Sequence, residues 1–147
     1  MDSCFGICGK DFVIVCADTS VNRSIFNLKS TEDKITQIND FKVMASSGEA
    51  CERDGFSSYI SANIKLQEFR TGHGMSVDST AEFTRTELAK GLRKAPFQVN
   101  ILLAGYDNLD NTPKLYWMDY LGTLARVTRG AHGYAGYFVN SVLDNQY

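Results

Sequence analysis

Phe12-Val13-Ile14-Val15-Cys16-Ala17-Asp18 is the stretch that decides the fold. Its apolar residues run without polar alternation. That implies a strand covered on both faces, as in a sheet packed between layers. Upstream, Phe5-Gly6-Ile7-Cys8 reads as its hairpin partner. Gly9-Lys10-Asp11 supplies the turn, with a glycine suited to positive φ. Downstream, Ile25-Phe26-Asn27-Leu28 and Lys34-Ile35-Thr36-Gln37-Ile38 read as a second hairpin around Lys29 to Asp33. Val43 to Ser47 follows as a short strand, stopped by Gly48.

The period then changes. Phe56, Tyr59, Ile60, Asn63, Ile64 and Gln67 recur at spacings of three and four, which predicts an amphipathic helix from Glu49 to about Arg70. Thr71-Gly72-His73-Gly74 ends it with glycines suited to a C-terminal cap. Ser79-Thr80-Ala81-Glu82 matches a capping box for a second helix. Its inward face is read as Thr84, Leu88 and Leu92, and Pro96 prevents its continuation. Strand patterns return at Gln98 to Gly105, Leu115 to Asp119 and Leu121 to Val127. Gly130-Ala131-His132-Gly133 reads as a loop leading to a helix over Tyr134 to Leu143. Strands, a helix pair, strands and a helix favour two sheets sandwiched between helical layers, an α+β architecture.

Composition narrows the function classes. The chain has 147 residues, which suits one domain spanning residues 1–147. A formal net charge of −2 offers no broad basic field for nucleic acid or anionic lipid. No apolar run approaches the ~20 residues of a membrane span, and the start does not have the pattern of a secretory signal. Cytoplasm and nucleus are therefore the expected locations. Cys4, Cys8, Cys16 and Cys51 form no CxxC pair. On one strand, Cys4 and Cys8 lie about 13 Å apart, too far for a disulfide. Buried reduced thiols are expected. Two isolated histidines, His73 and His132, make no metal site, and no GxGxxG phosphate loop occurs. No cofactor is expected.

An aspartate closing a buried strand, followed by Lys34, suits amino-terminal nucleophile chemistry. That chemistry needs Thr, Ser or Cys as the first mature residue, and this chain begins Met1-Asp2. The whole chain from Phe5 onward resembles a β-type subunit of the 20S proteasome, of the beta-type-2 (beta four) class. The residues that carry the likeness include Phe12 to Asp18, Gly48-Glu49-Ala50, Tyr59-Ile60 with Asn63, and Glu87-Leu88-Ala89 with Leu92-Arg93. Gln98-Val99-Asn100, Ala104-Gly105-Tyr106-Asp107, Met118-Asp119-Tyr120-Leu121 and His132-Gly133-Tyr134 complete it. The resemblance implies a four-layer αββα sandwich, the N-terminal nucleophile hydrolase fold. Members of this class run roughly fifty residues further, so the resemblance implies that a C-terminal part is missing. A fragment and a naturally shortened chain are both open readings, and a shortened chain should expose apolar surface, as on Phe138, Val142 and Leu143, unless neighbours cover it.

Carried over by position, Asp18 matches the family's orienting aspartate, Lys34 its lysine and Gly48 its oxyanion glycine. Asp2 falls on the threonine position, where it has no hydroxyl to activate, and Met1 would occupy the amine. The expectation is a non-catalytic subunit with Lys34 Nζ hydrogen-bonded to Asp2 or Asp18. Trimming to expose Ser3 or Cys4 as a nucleophile is the alternative. The loop at His132 departs from the Gly-Ser-Gly of active subunits, a second sign of lost catalysis. The partners implied are other β subunits in a heteromeric seven-membered ring, the opposing β ring and the adjacent α ring. Tyr59, Asn63, Gln67, Tyr116, Met118, Tyr120 and His132 are the candidate interface residues. A free-standing subunit with a separate binding role is the third reading.

Overall fold

A computed structural model describes residues 2–147. The elements in chain order are β1 (Cys4–Cys8), β2 (Val13–Ala17), β3 (Val21–Arg23), β4 (Phe26–Lys29), β5 (Ile35–Asn39) and β6 (Lys42–Gly48). Two helices follow, α1 (Ala50–Thr71) and α2 (Val77–Gly91). Then come β7 (Val99–Asp107), β8 (Thr112–Met118), β9 (Leu124–Val127), β10 (Arg129–His132) and α3 (Ala135–Gln146).

The strands form an antiparallel five-stranded sheet, β5-β6-β7-β8-β9, and a three-stranded sheet, β10-β1-β2. Strand alternation gives the large sheet two apolar faces. Met44, Ile101, Leu103 and Met118 face α1 and α2, where Phe56, Ile60, Ile64, Ala81 and Leu88 complete a core. Ala45, Leu102, Ala104 and Leu115 face the small sheet and meet Cys4, Val13, Val15 and Ala17. Gly6 allows the two sheets to approach closely, since a Cβ there would lie 3.1 Å from Leu115 Cδ1. The third helix covers β10 and β1 from outside. The layers therefore run helix pair, large sheet, small sheet, helix.

Several expectations change. The strand at Val13–Ala17 is not covered on both faces, because Ile14 is 49% exposed and Phe12 48%. Its inner face packs on the large sheet, while α3 lies over β10 and β1. The expected hairpin between Ile25–Leu28 and Lys34–Ile38 does not form. β4 instead pairs with β3 as a two-stranded ribbon, and β5 pairs with β6. The ribbon leaves Ile25, Phe26 and Leu28 exposed. Helix α2 begins one turn before the expected capping box, with Ser76 Oγ accepting from Ser79 N at 3.1 Å.

The segment read as a loop at Gly130 to Gly133 is largely the strand β10, paired to β1 with His132 opposite Cys4. His132 and Met118 are interior residues, so they are withdrawn from the candidate interface. His132 Nε2 lies 3.0 Å from Ile101 O, and its ring stacks on Trp117 at 4.8 Å. Burial pushes its pKa down, against the pull of that carbonyl. On α3, Phe138 and Val142 are exposed and Leu143 is half-buried.

The core arrangement fixes where substitutions will hurt. Leu103 is fully buried between the large sheet and the helix pair. Leu103→Ala is expected to lower unfolding free energy by about 2–5 kcal/mol in urea titration. Ile25→Ala, at a position 88% exposed, should change it by no more than about 0.5 kcal/mol.

Candidate functional site

The site forms where the two sheets end together. Along β1 and the residues before it, side chains alternate, so Asp2 and Cys4 point inward while Ser3 turns away. Asp18 follows directly on β2, the hairpin partner of β1. Backbone bonds lock the two ends together: Asp18 N donates to Ser3 O at 3.0 Å, and Ser3 N donates to Asp18 Oδ1 at 2.9 Å. Lys34 enters from the residue before β5. Gly48 ends β6, and Arg53 lies in the first turn of α1. Distant stretches of sequence thus converge because the antiparallel pairing brings the starts of β1 and β5 beside the ends of β2 and β6.

Lys34 is the centre. Its side chain is completely buried. Nζ donates to Asp2 Oδ1 at 2.7 Å, to Asp18 Oδ1 at 2.8 Å and to the Ser20 carbonyl at 2.7 Å. An ammonium has three protons, so all its donors are satisfied. A buried cation is tolerated only with such partners.

The other oxygen of Asp2 makes the decisive contacts. Oδ2 accepts from Gly48 N at 3.1 Å and from Arg53 Nη1 at 3.0 Å. Arg53 is itself only 1% exposed. It also reaches Glu32 Oε1 at 3.5 Å and Asp54 Oδ1 at 3.3 Å. One carboxylate therefore bridges a buried lysine, a buried arginine and a backbone amide. The amide of Gly48, aimed where an oxyanion could be held, is already hydrogen-bonded to a full negative charge. Gly48 has φ +144°, and a Cβ there would lie 2.0 Å from Gln98 O, so the position demands glycine.

Asp18 is held by more than Lys34. Ser20 donates to its Oδ2 through Oγ at 2.6 Å and through N at 3.3 Å. Burial works against ionisation of this carboxyl. The hydrogen bonds from Lys34, Ser20 and the Ser3 amide outweigh it and bring the pKa down to about 2.

The two rival nucleophiles are poorly placed. Cys4 is 1% exposed in the layer between the sheets. Burial, with the neighbouring Asp2 and Asp18 carboxylates adding to it, pushes the thiol up to about 12. At neutral pH it is not a thiolate, the form that attacks carbonyls. Ser3 lies on the opposite side of the strand from Lys34, and its amide is tied to Asp18. Met1 lies outside the described residues. All four cysteines are free thiols.

The Gly133 backbone passes against Asp2. With φ +73°, a Cβ there would lie 1.9 Å from Asp2 O. The glycine after His132 therefore seats the start of the chain, while His132 packs inward. Sequence reading missed Arg53. The signal was present: Arg53, Phe56, Ser57, Ile60, Ser61 and Ile64 share the buried face of α1, so an arginine stands on the apolar stripe. Tyr59 and Gln67, counted on that stripe, are exposed, and Asn63 is half-buried. Tyr59 Oη instead donates to Glu87 Oε2 at 3.0 Å, joining α1 to α2.

Two outcomes follow from this geometry. Asp2→Ala leaves Lys34 and Arg53 buried with a partner missing, and is expected to cost about 3–5 kcal/mol in urea unfolding. The Asp18 carboxyl has a depressed folded pKa. Its contribution to stability is complete above the unfolded value of about 3.9 and is lost as pH falls through about 2. Unfolding midpoints should therefore drop between about pH 4 and about pH 2. Asp18→Asn should flatten that part of the profile.

Comparison with known proteins agrees with this construction. The family model described as "Proteasome subunit" matches residues 2–147. The chain is 46% identical over 147 residues to proteasome subunit beta type-2-B of Arabidopsis thaliana, covering all of this chain and 73% of that protein. It is 46% identical over 140 residues to proteasome subunit beta type-2 of Dictyostelium discoideum, covering 94% of this chain and 71% of that protein. It is 42% identical over 148 residues to proteasome subunit beta type-4 of Saccharomyces cerevisiae, covering 100% and 75%. Two stacked sheets between helices, with a charged cluster at the end of the first strand, are therefore the N-terminal nucleophile hydrolase fold, and the chain belongs to the proteasome subunit family as a β subunit of the type-2/type-4 class.

Proposed function

We propose that this chain is a non-catalytic structural subunit of the proteasome core. The observation that carries the reading is the Asp2 carboxylate, held at 2.7 Å from Lys34 Nζ and 3.1 Å from Gly48 N. Both groups would serve an attacking hydroxyl and a developing oxyanion in an active site. Here one carboxylate engages them both. A carboxylate fixed by two cations is a weak nucleophile towards a peptide bond, and it has no proton to give up.

In this reading the charges act as a clamp that binds the start of β1 to the ends of β2, β5, β6 and α1. The subunit's work is to hold neighbours in register and to wall the chamber in which unfolded proteins are cut. Its partners are other β subunits in a heteromeric seven-membered ring, an opposing β ring and an adjacent α ring. Degradation by that particle is ATP- and ubiquitin-dependent, in cytoplasm and nucleus. Tyr59, Gln67 and Tyr120 are exposed and stay as candidate contacts, with Asn63 and Tyr116 half-buried beside them.

The competing reading is a peptidase using Ser3 or Cys4 after trimming. The buried thiol of Cys4 and the outward turn of Ser3 favour the structural role. An electrophile that captures both the amine and the hydroxyl of an amino-terminal nucleophile separates the two. After treatment of the assembled particle, intact mass of this subunit should be unchanged while active subunits gain the label. A labelled chain beginning at Ser3 or Cys4 would overturn the structural reading.

A further inference from the structure

The ribbon β3–β4 carries bulky apolar side chains out into solvent. All four residues of β4 are exposed, with Phe26 at 68% and Leu28 at 65%, and Ile25 just before it stands 88% exposed. A two-stranded ribbon is marginally stable in water on its own. Single exposed apolar residues are ordinary, but three bulky ones within four positions make a patch that marks a contact. The sequence shapes this ribbon as an arm. Arg23 lies opposite Phe26, so Ser24 and Ile25 form a two-residue turn. Ser24 takes φ +56°, which an L-residue adopts at a cost. That turn puts Ile25 at the tip. Val21 lies opposite Lys29 and Asn22 opposite Asn27, which leaves Leu28 as the extra residue of a bulge.

The base of the arm is held by the charge cluster. Ser20, next to Val21, gives its carbonyl to Lys34 Nζ at 2.7 Å. On the other strand Lys29 pairs with Glu32, whose Oε1 accepts from Arg53 Nη2 at 3.5 Å. Glu32 N donates to Thr19 O at 2.9 Å, which closes the base. Val21 and Leu28 line a cleft of about 450 Å³ together with Gly48, Glu49 and Arg53. Both strands are therefore anchored, and the tip stands in solvent. Charge narrows the partner. Between Val21 and Ser30 the charged residues are Arg23 and Lys29, and no carboxylate occurs, although the whole chain has a formal net charge of −2. Lys29 is engaged by Glu32, whereas Arg23 is exposed beside the tip. Such an arm fits an apolar groove with carboxylates on its rim.

We propose that the β3–β4 arm joins this chain to a neighbouring β subunit. Ile25, Phe26 and Leu28 seat in an apolar groove of that subunit, and Arg23 faces an acidic residue on the rim. The proposal rests on the structural-subunit reading above and adds to it the surface that makes the contact. Subunits around a closed ring meet head to tail, so each presents one surface and receives a different one. A projecting arm on an anchored base suits that side-to-side contact. The cluster of Asp2, Lys34 and Arg53 then has a positive task beyond filling a former active site: it holds the root of the arm that reaches the neighbour.

The test uses core particles isolated through a tag on another β subunit, with photo-reactive p-benzoylphenylalanine replacing Ile25 in the full chain. After irradiation, peptide mass spectrometry should find position 25 joined to another β subunit, at a segment with apolar residues and at least one Asp or Glu. If the wild-type chain is absent from the particle, the structural-subunit reading itself fails, and the arm's partner with it. If the chain is present but position 25 joins only an α subunit, only its own chain or nothing, the arm proposal alone is overturned. A pair of variants supplies the energetic check. Ile25→Ser with Phe26→Ser and Leu28→Ser should cut the amount of this chain in the particle about fivefold or more, as loss of an apolar anchor does. Ile25→Val with Phe26→Leu and Leu28→Met keeps the apolar surface and should stay within about twofold of wild type. The two triple variants should share one urea midpoint as isolated chains, because all three side chains are exposed. Equal incorporation of both would contradict the proposal.

Discussion

A buried ammonium is the constraint on which this end of the molecule depends. Lys34 has no exposed side-chain surface, and the cost of leaving a lone charge there would be several kcal/mol. It is met by two carboxylates and a carbonyl drawn from two separate stretches: Asp2 before β1, and Asp18 with Ser20 just after β2. Because Asp2 also holds Arg53 and Gly48 N, the same charge balance reaches α1 and the end of β6. The first strand of the small sheet is thereby tied to the large sheet by ion pairs at one end, as it is tied by apolar packing along its length.

The apolar packing is equally specific. Each strand of the large sheet contributes to two cores, one under the helices and one against the small sheet. Polar residues enter these layers only where they find partners. Ser46 and Ser57 meet at 3.3 Å between β6 and α1. Trp117 Nε1 donates to Ala131 O at 3.2 Å. Among the described residues, no buried side-chain nitrogen or oxygen is left without a hydrogen-bond partner. Such complete satisfaction at a site lined with charges is what a structural cluster requires.

Much of this was legible in the sequence, and the failures have identifiable causes. The apolar run ending at Asp18 marked a strand, though one packed on a single face rather than on both, and Lys34 and Gly48 were singled out by the resemblance to the family. The phase of α1 was misjudged because Ser57 and Ser61, small and polar, sit on its inner face and Tyr59 on its outer one. Serine at close helix–sheet contacts carries no hydrophobic signal. The same misjudged phase hid Arg53. The hairpin assigned to Lys34–Ile38 failed because local alternation cannot say which strand is the partner, and β6 offered a longer ladder than β4. The β10 strand was hidden by Gly130, whose lack of a side chain accommodates Trp117 and weakens the strand pattern. Both faces of β2 could be read as apolar from sequence, but only the packing shows that α3 covers its neighbours.

The central claim is that Asp2 and Lys34 form one energetic unit in place of a catalytic pair. A double-mutant cycle in urea unfolding, with Asp2→Ala, Lys34→Met and the combination, measures that unit directly. The account predicts a coupling energy of about 1–3 kcal/mol, with the double variant less destabilised than the sum of the single ones. Additivity within about 0.5 kcal/mol would contradict it, showing that the carboxylate at position 2 does not answer the buried charge of Lys34.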